Sequence, residues 1–243
     1  IKFSTGIGSG KSSFWDNVSV REMPVLKWAP HNLFQYSEQF DNGYWGSPHI
    51  NVEANQDTSP DGFVTSDLLT ATVGSAQHQI YGNFSVTSDI KYRMSVFLKK
   101  NTHQYVQLLF FASGFGSSAY ANFDLENGTV GSVGSSATAP ITDAGNSYYK
   151  VEIEATATST GSAFGAIHFV TSSTSGRNAT ITTDGTESFY AWGAHLYRSD
   201  LGGMVDNPDQ PLSRASYVPT TSSAKHLPRI GHHVYNGSAW VNE

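Results

Sequence analysis

Residue types in this chain offer two chemistries. The first is recognition of a polyhydroxylated ligand. It needs aromatic faces to lie on C–H surfaces, with amides, carboxylates or guanidinium groups to bond hydroxyls. Gln79 and Tyr81, Arg93 and Lys99, Tyr105 and Gln107, and His168 sit at alternating positions of strand-like segments, where they would stand on polar sheet faces. Trp45 follows a turn and is placed to be a stacking platform. The same residues also suit a solvated sheet face or, for Trp45, a hydrophobic lid. The second chemistry is hydrolysis by two carboxylates about 5 to 9 Å apart. Glu152 and Glu154 share a strand face two residues apart, which fits that range. No third group accompanies them, and no Ser-His-Asp signature is present.

Metal and phosphate chemistry are less well served. Asp57, Asp61 and Asp67 supply hard oxygen ligands, but their spacing fits no calcium loop and suits carboxylates that form turns. His226, His232 and His233 are potential metal ligands. Adjacent His residues on a strand point to opposite faces, so a three-His site would need a partner chain. The run Thr5 to Ser12 resembles a phosphate loop with Thr where the first Gly belongs, and a strand follows it rather than a helix. The chain has no cysteine, which excludes disulfides, thiolate zinc and cysteine nucleophiles. A net charge of -6 and the lack of a basic run argue against nucleic acid and an anionic membrane surface as partners. No apolar run approaches the ~18 residues that span a bilayer.

The elements that must position these groups read as short strands. Charged residues make up 14% and aromatics 13% of 243 residues, the balance of strands joined by turns rather than of disorder. Phe189 to Arg198 is the most strongly patterned stretch. Strict alternation puts Tyr190, Trp192, Ala194 and Leu196 on one face and Phe189, Ala191, Gly193, His195 and Tyr197 on the other. Bulky groups on both faces place it inside a sandwich. Tyr92 to Lys99 and Tyr148 to Ala155 alternate as well, and Asn127-Gly128 marks a hairpin. Val64 to Thr72 reads as a strand or a short helical turn. No segment longer than ten residues keeps a 3.6 period, so the fold class is all-β, an antiparallel sandwich. Residues 1–23, with Phe14 to Arg21 as a twin of the 189–198 strand, read as the end of a preceding module. Residues 24–31 read as a linker, 32–200 as the main module, 201–225 as a Pro-containing connector and 226–243 as a further hairpin. The chain reads as a piece of a longer one.

Several motifs then fall in order. They are Asn32-Leu33-Phe34-Gln35-Tyr36-Ser37-Glu38-Gln39-Phe40 through Trp45, Pro60-Asp61-Gly62, Ser95 to Lys99, Phe123-Asp124-Leu125 through Val130, Trp192-Gly193-Ala194-His195-Leu196, and Ser216-Tyr217-Val218-Pro219-Thr220. The set resembles a module common in bacteriophage tail and fibre proteins. The resemblance covers roughly residues 32 to 221 and implies a concanavalin-A-like or jelly-roll, carbohydrate-binding-like sandwich in a virion protein. It implies a structural or adhesion role without catalysis in a tail fibre or spike. The implied partners are other virion proteins, copies of itself in a homotrimer, and host-surface polysaccharide. Asp16 matches the residue that helps hold a structural calcium in related modules, whereas Trp192 takes that place in the main module and His195 replaces the usual Gln. The alternatives are a polysaccharide-degrading enzyme or its accessory module, and a purely architectural virion protein.

Overall fold

The computed structural model describes residues 31–201, 217–225, 233–235 and 240–242. The expected strand at Phe14 to Arg21, Asp16, the phosphate-loop-like run, His226 and His232 lie outside these residues. The strands are β1 (Ile50–Thr58), β2 (Val64–Ala71), β3 (Gly74–Ala76), β4 (Gln79–Val86), β5 (Lys91–Lys100), β6 (Tyr105–Phe110), β7 (Tyr120–Asp124), β8 (Thr129–Val133), β9 (Ala137–Thr138), β10 (Ile141–Gly145), β11 (Tyr148–Thr156), β12 (Gly161–Phe169), β13 (Ile181–Thr183) and β14 (Ser188–Arg198). A one-turn helix, Ala112–Phe115, follows β6. A separate hairpin pairs β15 (His233–Tyr235) with β16 (Trp240–Asn242).

This is an all-β, antiparallel jelly-roll sandwich. One sheet runs β1-β2-β14-β5-β11-β10, with β9 also on β11, and the other runs β4-β12-β6-β7-β8. The alternation in the sequence explains the layers. Met94, Val96 and Leu98 of β5 and Val151 and Ile153 of β11 turn inward from the first sheet. Ile80, Phe84 and Val86 of β4 and Val106, Leu108 and Phe110 of β6 face them from the second. The helix packs Phe115 on Phe110, with ring centroids 4.3 Å apart, and closes one end of this core.

β14 lies between β2 and β5, inside the sheet as expected, but its phase differs from strict alternation. Phe189, Ala191, Ala194 and Leu196 belong to the core, while Trp192 packs on the outer face with Phe97 and Tyr148. The cause is a register shift between Trp192 and His195, centred on Gly193 at φ 67. One extra residue is absorbed there, so the faces exchange. The left-handed backbone favours glycine here, and a Cβ would also crowd the Phe97 ring at 3.0 Å.

The motifs at the two ends of the module interlock across this sheet. Asn32, fully buried, donates through Nδ2 to the Ala194 and Val218 carbonyls and accepts through Oδ1 from the Phe34 and Leu196 amides. The Thr220 hydroxyl donates to the Phe34 carbonyl, and Tyr217 donates to Glu38. The opening and closing motifs are thus one clasp that holds the chain ends of the module together.

Candidate functional site

The outer face of the five-stranded sheet is built from cross-strand rows, which the registers spell out. Gln79, His168, Gln107 and Asn122 form one polar row across β4, β12, β6 and β7. Beside it runs an apolar row of Tyr81, Ala166, Leu109 and Tyr120. At the open end of the face, Phe164 stacks on Phe111 at 4.4 Å between ring centroids and 22° between planes. Tyr81 lies against the same Phe164 at 4.9 Å. Tyr81 and Phe164 are half-buried and Phe111 is 38% exposed, so three rings in contact reach the surface, with exposed Asn83 opposite Phe164.

The middle of the face is covered. Residues 171–180 between β12 and β13 cross it as a strap. Gln107 Nε2 donates to the Gly176 carbonyl, and its Oε1 accepts from the Asn178 amide at 2.7 Å. Asn122 Nδ2 donates to the Ser173 and Ser175 carbonyls. Arg177 donates to the Phe110 carbonyl, and the Ser132 amide on edge strand β8 donates to Ser173. Gly131 permits the approach, since a Cβ there would stand 2.1 Å from the Ser173 carbonyl oxygen. Under the strap Gln107, Asn122 and His168 are fully buried. Burial, aided by the nearby Arg177 charge, pushes the His168 imidazole down to about 3, so it is neutral at physiological pH.

The eight residues singled out by residue type therefore divide. Gln79, Tyr81, Tyr105, Gln107 and His168 share this face, with Gln107 and His168 beneath the strap. Arg93 and Lys99 stand on the opposite face of the sandwich, committed to ion pairs. Arg93 Nε and Nη2 both donate to Glu154, at 3.1 and 2.9 Å. Lys99 meets Asp57 at 2.7 Å, between the Tyr148 and Tyr190 rings. Trp45 is a core residue and not an exposed platform. It is 6% exposed, packs on Phe34 and Phe40 at 5.1 and 4.9 Å, and donates its indole N–H to the Tyr36 carbonyl. Phe111 and Phe164 were missed. Phe164 alternates with Ala163 and Gly165, which marks its face as the outer one, but Phe111 sits in a Phe-Phe pair at a strand end where alternation stops.

The carboxylates occupy structural posts. Glu152 pairs with Lys150 at 3.3 Å and reaches Arg93 at 4.0 Å. Burial alone would raise the Glu154 carboxyl, but the Ser199 hydroxyl, then Arg93 and Lys91, outweigh it and hold it below its ordinary value. Asp61 accepts from the Phe63 amide and from Ser59 within a turn. Asp67 lies at the back of a cleft of about 290 Å³ lined also by Glu38, Asp41, Asn42, Asn55 and Thr65. It accepts from the Phe40 amide at 2.7 Å and the Asn55 amide at 3.0 Å. Burial raises it to about 6 against those two donors, with Asp41 adding to the rise. Asp67→Ala leaves two buried amides without acceptors, so a loss of roughly 2–4 kcal/mol is expected in urea unfolding at neutral pH. Among the described residues no group of three or more His, Asp or Glu is arranged to hold a metal ion, and no helix is long and apolar enough to cross a membrane.

No protein-family model and no curated protein sequence matches the chain. Solved structures resemble it at low similarity. The module TmCBM61, in complex with β-1,4-galactotriose, superposes with a TM-score of 0.42 at 10% identity over 69% of this chain and 98% of that one. The enzymatically active domain of bacteriophage CBA120 tailspike protein 4 gives 0.40 at 13% identity over 69% of this chain and 21% of that one. The CBM22-1 xylan-binding domain of Paenibacillus barcinonensis Xyn10C gives 0.37 at 13% identity over 70% and 96%.

Proposed function

We propose that the chain is a non-enzymatic adhesion module of a phage virion appendage, a tail fibre or spike, and that it binds host-surface glycan on the outer face of the five-stranded sheet. The observation that carries this reading is the run of three surface rings, with Tyr81 and Phe111 each packed against Phe164, at the uncovered end of the sheet face. Rings at a surface present C–H-complementary faces, and a contiguous exposed aromatic patch marks an interaction site. Gln79 and Asn83 on the same strand as Tyr81 supply amides for hydroxyls. The ordered motifs from Asn32 to Thr220 support the virion setting, in which copies of the chain and other virion proteins are its partners. The carboxylates Glu152 and Glu154 are held by cations, which suits a structural pair better than a general acid and its partner.

A glycan microarray of bacterial surface polysaccharides tests the reading. Wild type is expected to bind a subset of the array, and Phe111→Ala to lose about tenfold or more in affinity for it. Phe111 lies at the surface, so its thermal midpoint is expected within a few degrees of wild type. Unchanged affinity in Phe111→Ala would move the site elsewhere. Silence of wild type on the array, with a trimeric mass by light scattering, would favour a purely architectural role. Turnover of a polysaccharide, lost in Glu152→Gln, would favour the enzyme alternative.

A further inference from the structure

The strap over the sheet face leaves a specific set of polar atoms unsatisfied. Both ring nitrogens of His168, Nε of Arg177 and Oδ1 of Asn178 are buried without a hydrogen-bond partner among the described residues. They lie in one neighbourhood. His168 faces Gln107 across the β12–β6 ladder, Asn178 bonds Gln107 through its amide, and the Arg177 charge acts on His168. Gln107 and Asn122 of the same row are by contrast satisfied, since they bond each other and the strap carbonyls of Gly176, Ser173 and Ser175. Buried polar atoms are nearly always paired, so four in one place are an exception that calls for a cause.

We infer that His168, Arg177 and Asn178 form a strap-covered subsite for two adjacent sugar hydroxyls, continuous with the aromatic strip; this rests on the glycan-binding reading. The chemistry matches atom for atom. A neutral imidazole offers one N–H donor and one acceptor nitrogen, Arg177 Nε–H is a second donor, and Asn178 Oδ1 is a second acceptor. A vicinal diol offers two O–H donors and two oxygen acceptors. Cations, carboxylates and phosphates fit less well, because an anion leaves both acceptors unpaired and a cation both donors. Arg177 ties the two parts together, as its other end bonds the Phe110 carbonyl beside Phe111. The strap is then a lid that contributes two of the three ligating side chains. It must lift to admit a sugar ring and reseat on Gln107 and Asn122.

The full chain, titrated with galactose as the simplest vicinal-diol probe and with the array glycan, tests this by NMR. Galactose is expected to shift the His168 ring nitrogens and to slow hydrogen exchange at the Asn178 and Ser132 amides, which hold the strap. His168→Leu is expected to weaken array-glycan binding about tenfold or more while melting at or above wild type, because two unpaired buried atoms are removed. His168→Gln, which keeps a donor and an acceptor, is expected to restore part of the affinity. A residue with a structural role alone would lose stability and leave affinity per folded molecule intact. Glycan binding that is lost in Phe111→Ala but is unchanged in His168→Leu, with no ligand effect on the strap amides, overturns the subsite and leaves the function standing. Absence of any sugar binding by wild type removes both.

Discussion

Acidification from about pH 7 to about pH 4 is expected to lower the urea midpoint steadily, with His195→Gln losing much less than wild type. Both buried imidazoles, His168 and His195, are pushed down to about 3 by burial. At His195 the His31 carbonyl resists this drop, while the Lys150 and His31 charges add to it. In the unfolded chain each His titrates near its ordinary value, so between these limits the unfolded state binds more protons and stability falls as pH falls. Each imidazole is expected to cost roughly 3 kcal/mol over that span. Asp67, raised to about 6, works in the opposite sense, because its folded form takes up a proton first and so gains stability as pH drops through that value. The net loss is therefore smaller than the sum of the two imidazoles. His195→Gln isolates one contribution, since a glutamine amide can still donate to the His31 carbonyl that Nε2 of His195 meets at 2.9 Å. A His195→Gln midpoint that tracks wild type at every pH would show that His195 does not carry the acid sensitivity.

The largest effect of a single truncation is expected at Trp45. Its ring touches Phe34, Phe40 and Tyr44, at 5.1, 4.9 and 5.2 Å between centroids, and its indole N–H is bonded to the Tyr36 carbonyl. Trp45→Ala opens a cavity among these rings and leaves that carbonyl without its partner, for an expected loss of about 3–5 kcal/mol in denaturant unfolding. Trp45→Phe, which keeps most of the ring volume, is expected to cost less. Glycan affinity per folded molecule is expected to be unchanged in Trp45→Phe. A stable Trp45→Ala that no longer binds glycan would make Trp45 the platform and the outer strip incidental.

Trp45 also shows why part of the site was illegible. A tryptophan after a turn looks the same in sequence whether it faces solvent or the core. Here Phe34, Phe40 and Gly82 decide the matter, and Gly82 lies 37 positions away. A Cβ at Gly82 would sit 2.8 Å from the Trp45 ring, so the indole fills the space the glycine leaves. Arg93 and Lys99 looked like polar-face ligands, and alternation did place them on an outer face. It was the outer face of the other sheet, where Glu154 and Asp57 already hold them. Gln79, Tyr81, Tyr105, Gln107 and His168 were grouped on polar faces from alternation alone and do share one, because alternation within β4, β6 and β12 survives in the tertiary structure.

What the sequence determined by itself was local. Alternation in Tyr92 to Lys99 and Tyr148 to Ala155, the Asn127-Gly128 turn and the absence of any helical period specify antiparallel strands, and the two-faced strand at 189–198 specifies a sandwich. The tertiary structure decided what lies over each face. The bulge at Gly193 sends Trp192 outward beneath Tyr217. Residues 171–180 fold back over Gln107, Asn122 and His168 of the polar row and leave Phe111, Phe164 and Tyr81 at the surface. The reason is that period two reveals only that a strand has two sides. Which side is covered depends on where the chain returns after dozens of residues, and its hydrogen bonds to Gln107 and Asn122 span from 51 to 71 positions.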